Sequence, residues 1–143
     1  LLIAASGFFS RALTISQFPQ WITSAFSNYS TTQYLIILNI MLLIVGCFFD
    51  PSAAILVLAP MLMPSALSLG ISPIHLGIIM TVNLSIGMFT PPFGLNIFVA
   101  QSVLKKDMKE ITRGLVPFII LYLIALILIT YIPSLSTFLP DLI

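Results

Sequence analysis

The stretch GMFTPPFGLN, residues 87–96, decides the fold, because it interrupts an apolar segment that is otherwise long enough to cross a membrane. Two consecutive prolines, Pro91 and Pro92, cannot continue an α-helix, since each lacks the N–H that a helical hydrogen bond requires. We therefore predict a transmembrane helix over residues 74–104 that is broken at residues 89–93.

Flexible and polar residues surround the two prolines. Gly87 and Gly94 permit unusual backbone angles, and Thr90 and Asn96 bring polar side chains to the break. Unwound backbone at membrane depth is tolerated only where it is buried in protein or lines a cavity, and its carbonyls coordinate cations in transporters. The break therefore predicts a binding site, with a simple proline-kinked helix as the alternative.

The composition of the whole chain is that of a membrane protein. Of its 143 residues, 59% are hydrophobic and 6% are charged, whereas soluble domains carry roughly 25% charged residues. Five basic and four acidic residues provide no electrostatic footprint for nucleic acid. One cysteine and one histidine leave no material for a zinc site, and no nucleophile–base pair indicates an enzyme. We expect an all-α polytopic membrane protein without an organic cofactor.

The charges are concentrated in one short segment, residues 105–114, where four of six charged side chains are basic. The positive-inside rule places such loops in the cytoplasm. The following residues, 115–133, carry no charge and reach about the 20 residues of a bilayer crossing. We predict a cytoplasmic loop at 105–114, a final transmembrane helix at 115–133, and an outer, periplasmic tail at 134–143 that includes Asp141.

A second interruption, GCFFDPS at residues 46–52, joins two apolar segments. Asp50 is a good N-cap, and Pro51 suits the first position of a helix. The apolar segment before it, residues 34–49, covers only about 24 Å of a core that is about 30 Å thick. We therefore predict a re-entrant hairpin over residues 33–69 with its tip at 46–52; two full crossings joined by an Asp-Pro turn are the alternative.

Asp50 is the only formal charge between Arg11 and Lys105. An acidic residue at the membrane centre costs on the order of 2.5–3.5 kcal/mol, and capping returns only about 1 kcal/mol. A bound cation would offset the remaining cost of burying the charge, so Asp50 is a candidate cation ligand. The alternative is that Asp50 only caps the helix at the water interface. The strings that begin at Gly46 and Gly87 both read G-x-F-x-x-P, and paired interruptions point to the binding site of a transporter.

The first third of the chain is more polar. It begins without an initiator Met, so we expect it to be part of a longer protein, with residues 1–12 as the end of a transmembrane helix. We predict an amphipathic connector helix in the membrane interface over residues 13–32. Its apolar face is formed by Phe18, Trp21, Ile22 and Phe26.

Isolated polar residues occur within the apolar segments. Asn83, Ser85 and Asn39 either face the site or bond to a neighbouring helix. His75 follows Pro73 at a predicted helix start, and we expect it to be interfacial.

The strings GCFFDPSAAILVLAP and GMFTPPFGLNIFVA resemble the large membrane subunit of TRAP (tripartite ATP-independent periplasmic) transporters, and the resemblance extends to ITYIPSLSTFLPDL. It is closest to the members that transport sialic acid. The resemblance implies an inner-membrane, sodium-coupled importer of organic acids with an elevator mechanism and two inverted repeats, of which this chain is most of the second. The implied partners are a periplasmic substrate-binding protein, a small membrane subunit that is sometimes fused, the remainder of the large subunit, and the lipid bilayer.

The resemblance also implies residue roles. A sodium ion, the coupling ion, is expected at Asp50 and Thr90 with carbonyls near Gly46 and Gly87. The residues expected to line the site are Pro51, Ser52, Asn83, Ser85, Pro91, Pro92, Gly94 and Asn96. Two other functions stay open: an ion/proton-coupled exchanger of a related elevator fold with Asp50 as the proton carrier, and a structural subunit whose broken helices only pack.

Overall fold

Helices and connecting turns make up the part of the chain that is described. The computed structural model describes the backbone of residues 2–138 and the side chains of residues 4, 5 and 7–138. The helices are α1 (Leu2–Ile15), α2 (Phe18–Phe26), α3 (Thr31–Phe48), α4 (Pro51–Ser68), α5 (Pro73–Gly87), α6 (Leu95–Leu104), α7 (Met108–Tyr131) and α8 (Ser134–Thr137). The all-α prediction is confirmed for these residues. Asp141 and the rest of 139–143 in the predicted outer tail lie outside them.

Three of the described helices, α3, α4 and α7, are long and apolar enough to cross a membrane. Large apolar side chains cover the surface of α7 and are exposed, among them Phe118, Leu121, Ile124 and Leu128. A helix that is apolar all round suits a lipid or protein interior rather than water. The chain is therefore a polytopic membrane protein.

The helices α3 and α4 form an antiparallel hairpin. A capping box at Ser30 begins α3, and the Asp50 side chain caps α4. At the base of the hairpin, the Tyr34 hydroxyl lies 2.9 Å from the Ser65 hydroxyl. The start of α3 and the end of α4 thus lie on the same side of the bundle, and the Asp50-Pro51 turn lies at the opposite end.

Both hairpin helices are longer than the sequence suggested. Each has 18 residues and is about 27 Å long, close to the ~30 Å of a membrane core. The first helix begins at Thr31, next to its Ser30 cap, and not at Tyr34, so it is about 3 Å longer than predicted but still slightly shorter than the membrane core. How deep the tip lies in the membrane stays a prediction.

The helices α5 and α6 are the two parts of the broken segment. Residues 88–94 form turns between them, one residue more at each side than the predicted 89–93. Helix α5 lies beside α3 with the same direction, and the main core lies between α3, α4 and α5. Its buried members are Tyr34, Leu35, Leu38, Leu42, Ala54, Leu62, Ala66, Ile71, Leu76, Ile79, Met80 and Leu84.

The charged segment is mostly helical. Helix α7 begins at Met108, so the predicted loop at 105–114 was wrong for residues 108–114, and only 105–107 connect α6 to α7. The charges indicated contact with water, which the exposed first turns of a helix also provide. An ion pair of 2.8 Å between Lys106 and Glu110 stabilises this turn at the i, i+4 spacing.

The first helix also extends further than predicted. Helix α1 continues to Ile15, past the expected boundary at residue 12, and only the short α2 follows within the predicted connector at 13–32. Within the described residues, Trp21 of the expected apolar face is exposed, whereas Phe26 packs edge-on against Tyr34 at 5.1 Å. The predicted connector is therefore the end of α1 followed by the short α2, which packs against α4.

Candidate functional site

Two glycines bring the hairpin tip and the broken helix into backbone contact. Gly46, in the last turn of α3, and Gly87, at the end of α5, are both buried. A Cβ atom added to Gly87 would lie 2.5 Å from the Gly46 Cα and closer still to the Gly46 carbonyl carbon. Glycine permits this approach because it has no side chain. The two G-x-F-x-x-P strings therefore meet at their first residues.

Aromatic side chains hold the same region together. Phe48 of α3 and Phe93 of the break have ring centroids 5.0 Å apart. Phe89 of the break lies 5.2 Å from Tyr122 of α7. Such pairs contribute about 0.5–1.5 kcal/mol beyond the area they bury. The hairpin tip, the break and the final helix are thus in direct contact.

The backbone of the break is partly satisfied by its own turns. The Thr90 N–H donates to the Gly87 carbonyl at 3.1 Å, and the Gly94 N–H donates to the Thr90 carbonyl at 3.1 Å. The expectation that the Gly87 carbonyl is freed was therefore wrong, because a turn bond replaces the helical one. A carbonyl oxygen has two lone pairs, so one of them stays available.

The hairpin tip offers a carbonyl with both lone pairs available. The Phe49 N–H donates to the Val45 carbonyl at 2.9 Å and closes the last turn of α3, whereas the next N–H, that of Asp50, makes no bond to the Gly46 carbonyl. Among the backbone of residues 2–138 and the side chains of residues 4, 5 and 7–138, no hydrogen-bond donor reaches the Gly46 carbonyl. Unpaired carbonyls at a helix C-terminus carry partial negative charge. This carbonyl is therefore suited to a cation.

Asp50 acts as the N-cap of α4. Its carboxylate accepts the Ala53 N–H at 3.1 Å, and its side chain is exposed within the described chain. No hydrogen bond joins it to Thr90 in that part of the chain. The structure thus has Asp50 in the capping role that the sequence left as an alternative, and its role as a cation ligand stays a prediction.

Thr90 lies half-buried in the break. Its hydroxyl donates to the Ile86 carbonyl at 2.7 Å. Because the hydroxyl hydrogen is used in that bond, the lone pairs of the oxygen point elsewhere and remain available to a cation or a hydrogen-bond donor. Its role as a cation ligand stays a prediction.

The other residues predicted to line the site differ in exposure. Gly94 is buried, and a Cβ added to it would lie 2.7 Å from the Met88 carbonyl oxygen, so the turn requires glycine there. Asn83 is buried one turn before Gly87. The remaining residues are Pro51, which is half-buried, and the exposed Ser52, Ser85, Pro91, Pro92 and Asn96. The structure therefore brings the glycines together and leaves most of the polar candidates at the surface of the described chain.

A buried polar chain joins α5, α7 and α3. His75 Nε2 lies 3.2 Å from the Thr130 carbonyl oxygen, and the Thr130 hydroxyl donates to Asn39 Oδ1 at 3.4 Å. Asn83 Nδ2 donates to the same Asn39 oxygen at 2.7 Å. His75 was expected to be interfacial, but it is buried, because the end of α7 packs over the start of α5. In the sequence, the only indication of these hydrogen bonds was the presence of polar residues within the apolar helices α3, α5 and α7.

Paired interrupted segments that meet inside a helical membrane protein are typical of membrane transport proteins. The family model described as "Tripartite ATP-independent periplasmic transporter, DctM component" matches residues 1–135. The chain belongs to this family. It is accordingly a multi-pass protein of the bacterial inner membrane and a transport protein rather than an enzyme.

Three relatives have names that describe their transport. A C4-dicarboxylate TRAP transporter large permease protein DctM of Pseudomonas aeruginosa is 45% identical over 98% of this chain and 33% of its own length. Its counterpart in Vibrio cholerae is 41% identical over 99% of this chain and 32% of its own. An isethionate TRAP transporter permease protein DctMQ of Oleidesulfovibrio alaskensis is 39% identical over 96% of this chain and 22% of its own. The chain thus spans about a third or less of the length of these relatives.

Proposed function

We propose that this chain is part of the membrane-embedded large subunit of a sodium-coupled secondary transporter that imports an organic acid. The observation that supports this most is the backbone contact between Gly46 at the hairpin tip and Gly87 at the helix break, in a chain of the DctM family. Two interrupted helices that meet provide carbonyl and hydroxyl oxygens away from bulk water, which is how transporters bind their coupling ions.

The proposed sodium site lies where the tip meets the break. The Gly46 carbonyl, the Thr90 hydroxyl and the second lone pair of the Gly87 carbonyl supply neutral oxygens, and Asp50 supplies the negative charge. Asp50 keeps one carboxylate oxygen on its helix cap, and the other oxygen is available to an ion. Hard cations prefer such oxygen ligands.

The remaining parts of the proposal concern substrate and partners. The sequence resemblance favoured sialic acid, whereas the relatives described above are named for C4-dicarboxylate and isethionate. All three are organic anions, and we take a C4-dicarboxylate as the first substrate to test. A periplasmic binding protein would deliver the substrate, and a small membrane subunit, separate or fused as the name DctMQ suggests for one relative, would brace an elevator movement.

Uptake by the complete transporter in proteoliposomes tests this function. With its binding protein present, we expect an inward sodium gradient to drive accumulation of labelled C4-dicarboxylate and a pH gradient alone to drive none, because Asp50 is proposed to bind sodium rather than to carry protons. Sialic acid and isethionate are measured in the same assay. Accumulation driven by the pH gradient alone would favour the proton-coupled exchanger, and no flux of any of the three acids would favour the structural subunit.

The orientation in the membrane can be tested separately. We expect a cysteine in place of exposed Lys109 to resist a membrane-impermeant maleimide added to the outside of cells, because its basic neighbours hold this end of α7 in the cytoplasm. The matched variant is Ser134→Cys, at the exposed opposite end of α7, which should be labelled. Cys47 is replaced by Ala in both. Labelling at Lys109→Cys with protection at Ser134→Cys would show the inverse topology.

A further inference from the structure

The seam between α3 and α5 contains two unlike contacts. At the tip, Gly46 and Gly87 touch through their backbones. Further along the same two helices, Asn39 and Asn83 are joined by a hydrogen bond of 2.7 Å. Asn39 lies seven residues before Gly46 and Asn83 lies four residues before Gly87, so each Asn shares a helix face with its glycine.

The two amides are held in one arrangement. Besides its bond to Asn39, Asn83 Nδ2 donates to the Ile79 carbonyl at 2.8 Å, and Asn39 Nδ2 donates to the Leu35 carbonyl at 2.7 Å. Asn83 is completely buried. A buried amide that loses its partner pays the full cost of its removal from water. The pair therefore strongly disfavours any displacement of one helix along the other.

The aliphatic contacts of the seam lack this selectivity. The neighbouring buried side chains, such as Leu42 and Leu84, are aliphatic and can pack in more than one relative position of two parallel helices. In coiled coils a single buried Asn selects one register against such alternatives. The glycine contact needs this selection, because a residue with a side chain opposite Gly87 would not fit where even a Cβ added to Gly87 would lie 2.5 Å from the Gly46 Cα.

We propose that Asn39 and Asn83 form a register lock, which sets the position of α3 along α5 and thereby places the hairpin tip on the helix break. Both are positioning residues that act through Gly46 and Gly87. Thr130 extends the lock to α7 through its 3.4 Å bond to Asn39 Oδ1. The effect of the lock on sodium affinity rests on the proposed function, whereas its effect on the tip does not.

A cross-linking measurement reads the position of the tip directly. Cysteines replace Phe48 and Phe93, whose rings lie 5.0 Å apart, in a Cys47→Ala background of the complete transporter. Copper–phenanthroline oxidises the pair, and maleimide–polyethylene glycol labelling counts the remaining thiols. We expect Asn83→Leu to lower the rate of cross-linking by about twofold to tenfold, the range that the loss of one buried hydrogen bond predicts.

Matched variants separate the lock from a general loss of stability. Thr81→Val on the same helix removes an exposed hydroxyl that bonds only to the Gly77 carbonyl, at 2.8 Å, and should cross-link as the parent does. The double variant Asn39→Leu with Asn83→Leu leaves no unpaired amide, so thermal stability should return while cross-linking stays slow. Asn39→Leu alone tests the same bond if Asn83→Leu fails to fold.

Sodium titration of uptake, without the cysteines, supplies the functional readout. We expect Asn83→Leu and the double variant to raise the sodium concentration for half-maximal transport by about twofold to tenfold, with a smaller change in maximal rate. Parent-like cross-linking in Asn83→Leu and Asn39→Leu, or its recovery in the double variant, would overturn the register lock. If wild-type uptake is independent of sodium, the proposed function fails, and the cross-linking rates still decide whether the lock exists.

Discussion

Gly87→Ala is expected to lower the transport rate strongly while the protein still reaches the membrane. The added methyl carbon would lie 2.5 Å from the Gly46 Cα and 2.8 Å from the Cys47 N. Backbone atoms cannot move aside as a flexible side chain can, so the tip must separate from the break. Overpacking of this kind costs about 1–3 kcal/mol, which corresponds to a fall in transport rate of about fivefold to 150-fold. Uptake is measured at matched amounts of membrane protein.

Two other glycines provide a graded control. At Gly46 an added Cβ would lie 2.9 Å from the Leu84 Cα and 3.2 Å from the Gly87 Cα, a milder clash, so Gly46→Ala should have an intermediate effect. Gly77 has nothing within 4 Å of the added atom, and Gly77→Ala should transport like wild type. Equal activity of the Gly87→Ala and Gly77→Ala proteins would show that the close contact has no role in transport.

The interruptions of the helices were predictable from the sequence because their causes are local. Pro91 and Pro92 lack the N–H that a helix needs, and the Asp50-Pro51 pair combines a capping side chain with a residue preferred at a helix start. These properties belong to the residues themselves, so they act in any surroundings. The break at residues 88–94 therefore lies within one residue at each end of the predicted 89–93, and the turn at residues 49–50 lies inside the predicted tip at 46–52.

The contacts between helices were not predictable in the same way. Asn39 and Asn83 are separated by most of the hairpin, and no local rule states that their amides meet. His75 looked interfacial because its place at a helix start does not reveal that α7 covers it. The sequence also could not show which carbonyls are paired. The turn bond from the Thr90 N–H to the Gly87 carbonyl depends on the geometry of the break, whereas the Gly46 carbonyl, at the end of α3, stays unpaired within the described residues.

Charge alone was also a poor guide to helix ends. The cluster at 105–114 marks contact with water, but helix α7 begins within it at Met108, because Lys and Glu are good helix formers and pair at the i, i+4 spacing. A hydropathy pattern reports where a helix meets lipid, and a helix often continues beyond that point.

The second large effect is expected from Asp50→Asn, which removes the only negative charge of the proposed sodium site at nearly constant shape. Asn is as good an N-cap as Asp, so its side-chain oxygen can still accept the Ala53 N–H and α4 should begin as before. Expression and thermal stability should therefore be close to wild type. Sodium titration of uptake should show half-maximal transport at about tenfold higher sodium, or no transport, since a tenfold loss corresponds to about 1.4 kcal/mol of binding free energy.

Asp107→Asn is the matched control for the removal of a charge. Asp107 is also an exposed acidic residue at a helix N-cap, but it belongs to the charged turn before α7 and has no part in the proposed site. Its sodium curve should superimpose on that of wild type. Asp50→Ala adds the loss of the cap, about 1 kcal/mol, so it should lower thermal stability where Asp50→Asn does not. If the Asp50→Asn curve also superimposes on wild type, Asp50 is a helix cap only, and the sodium ion must be held without it.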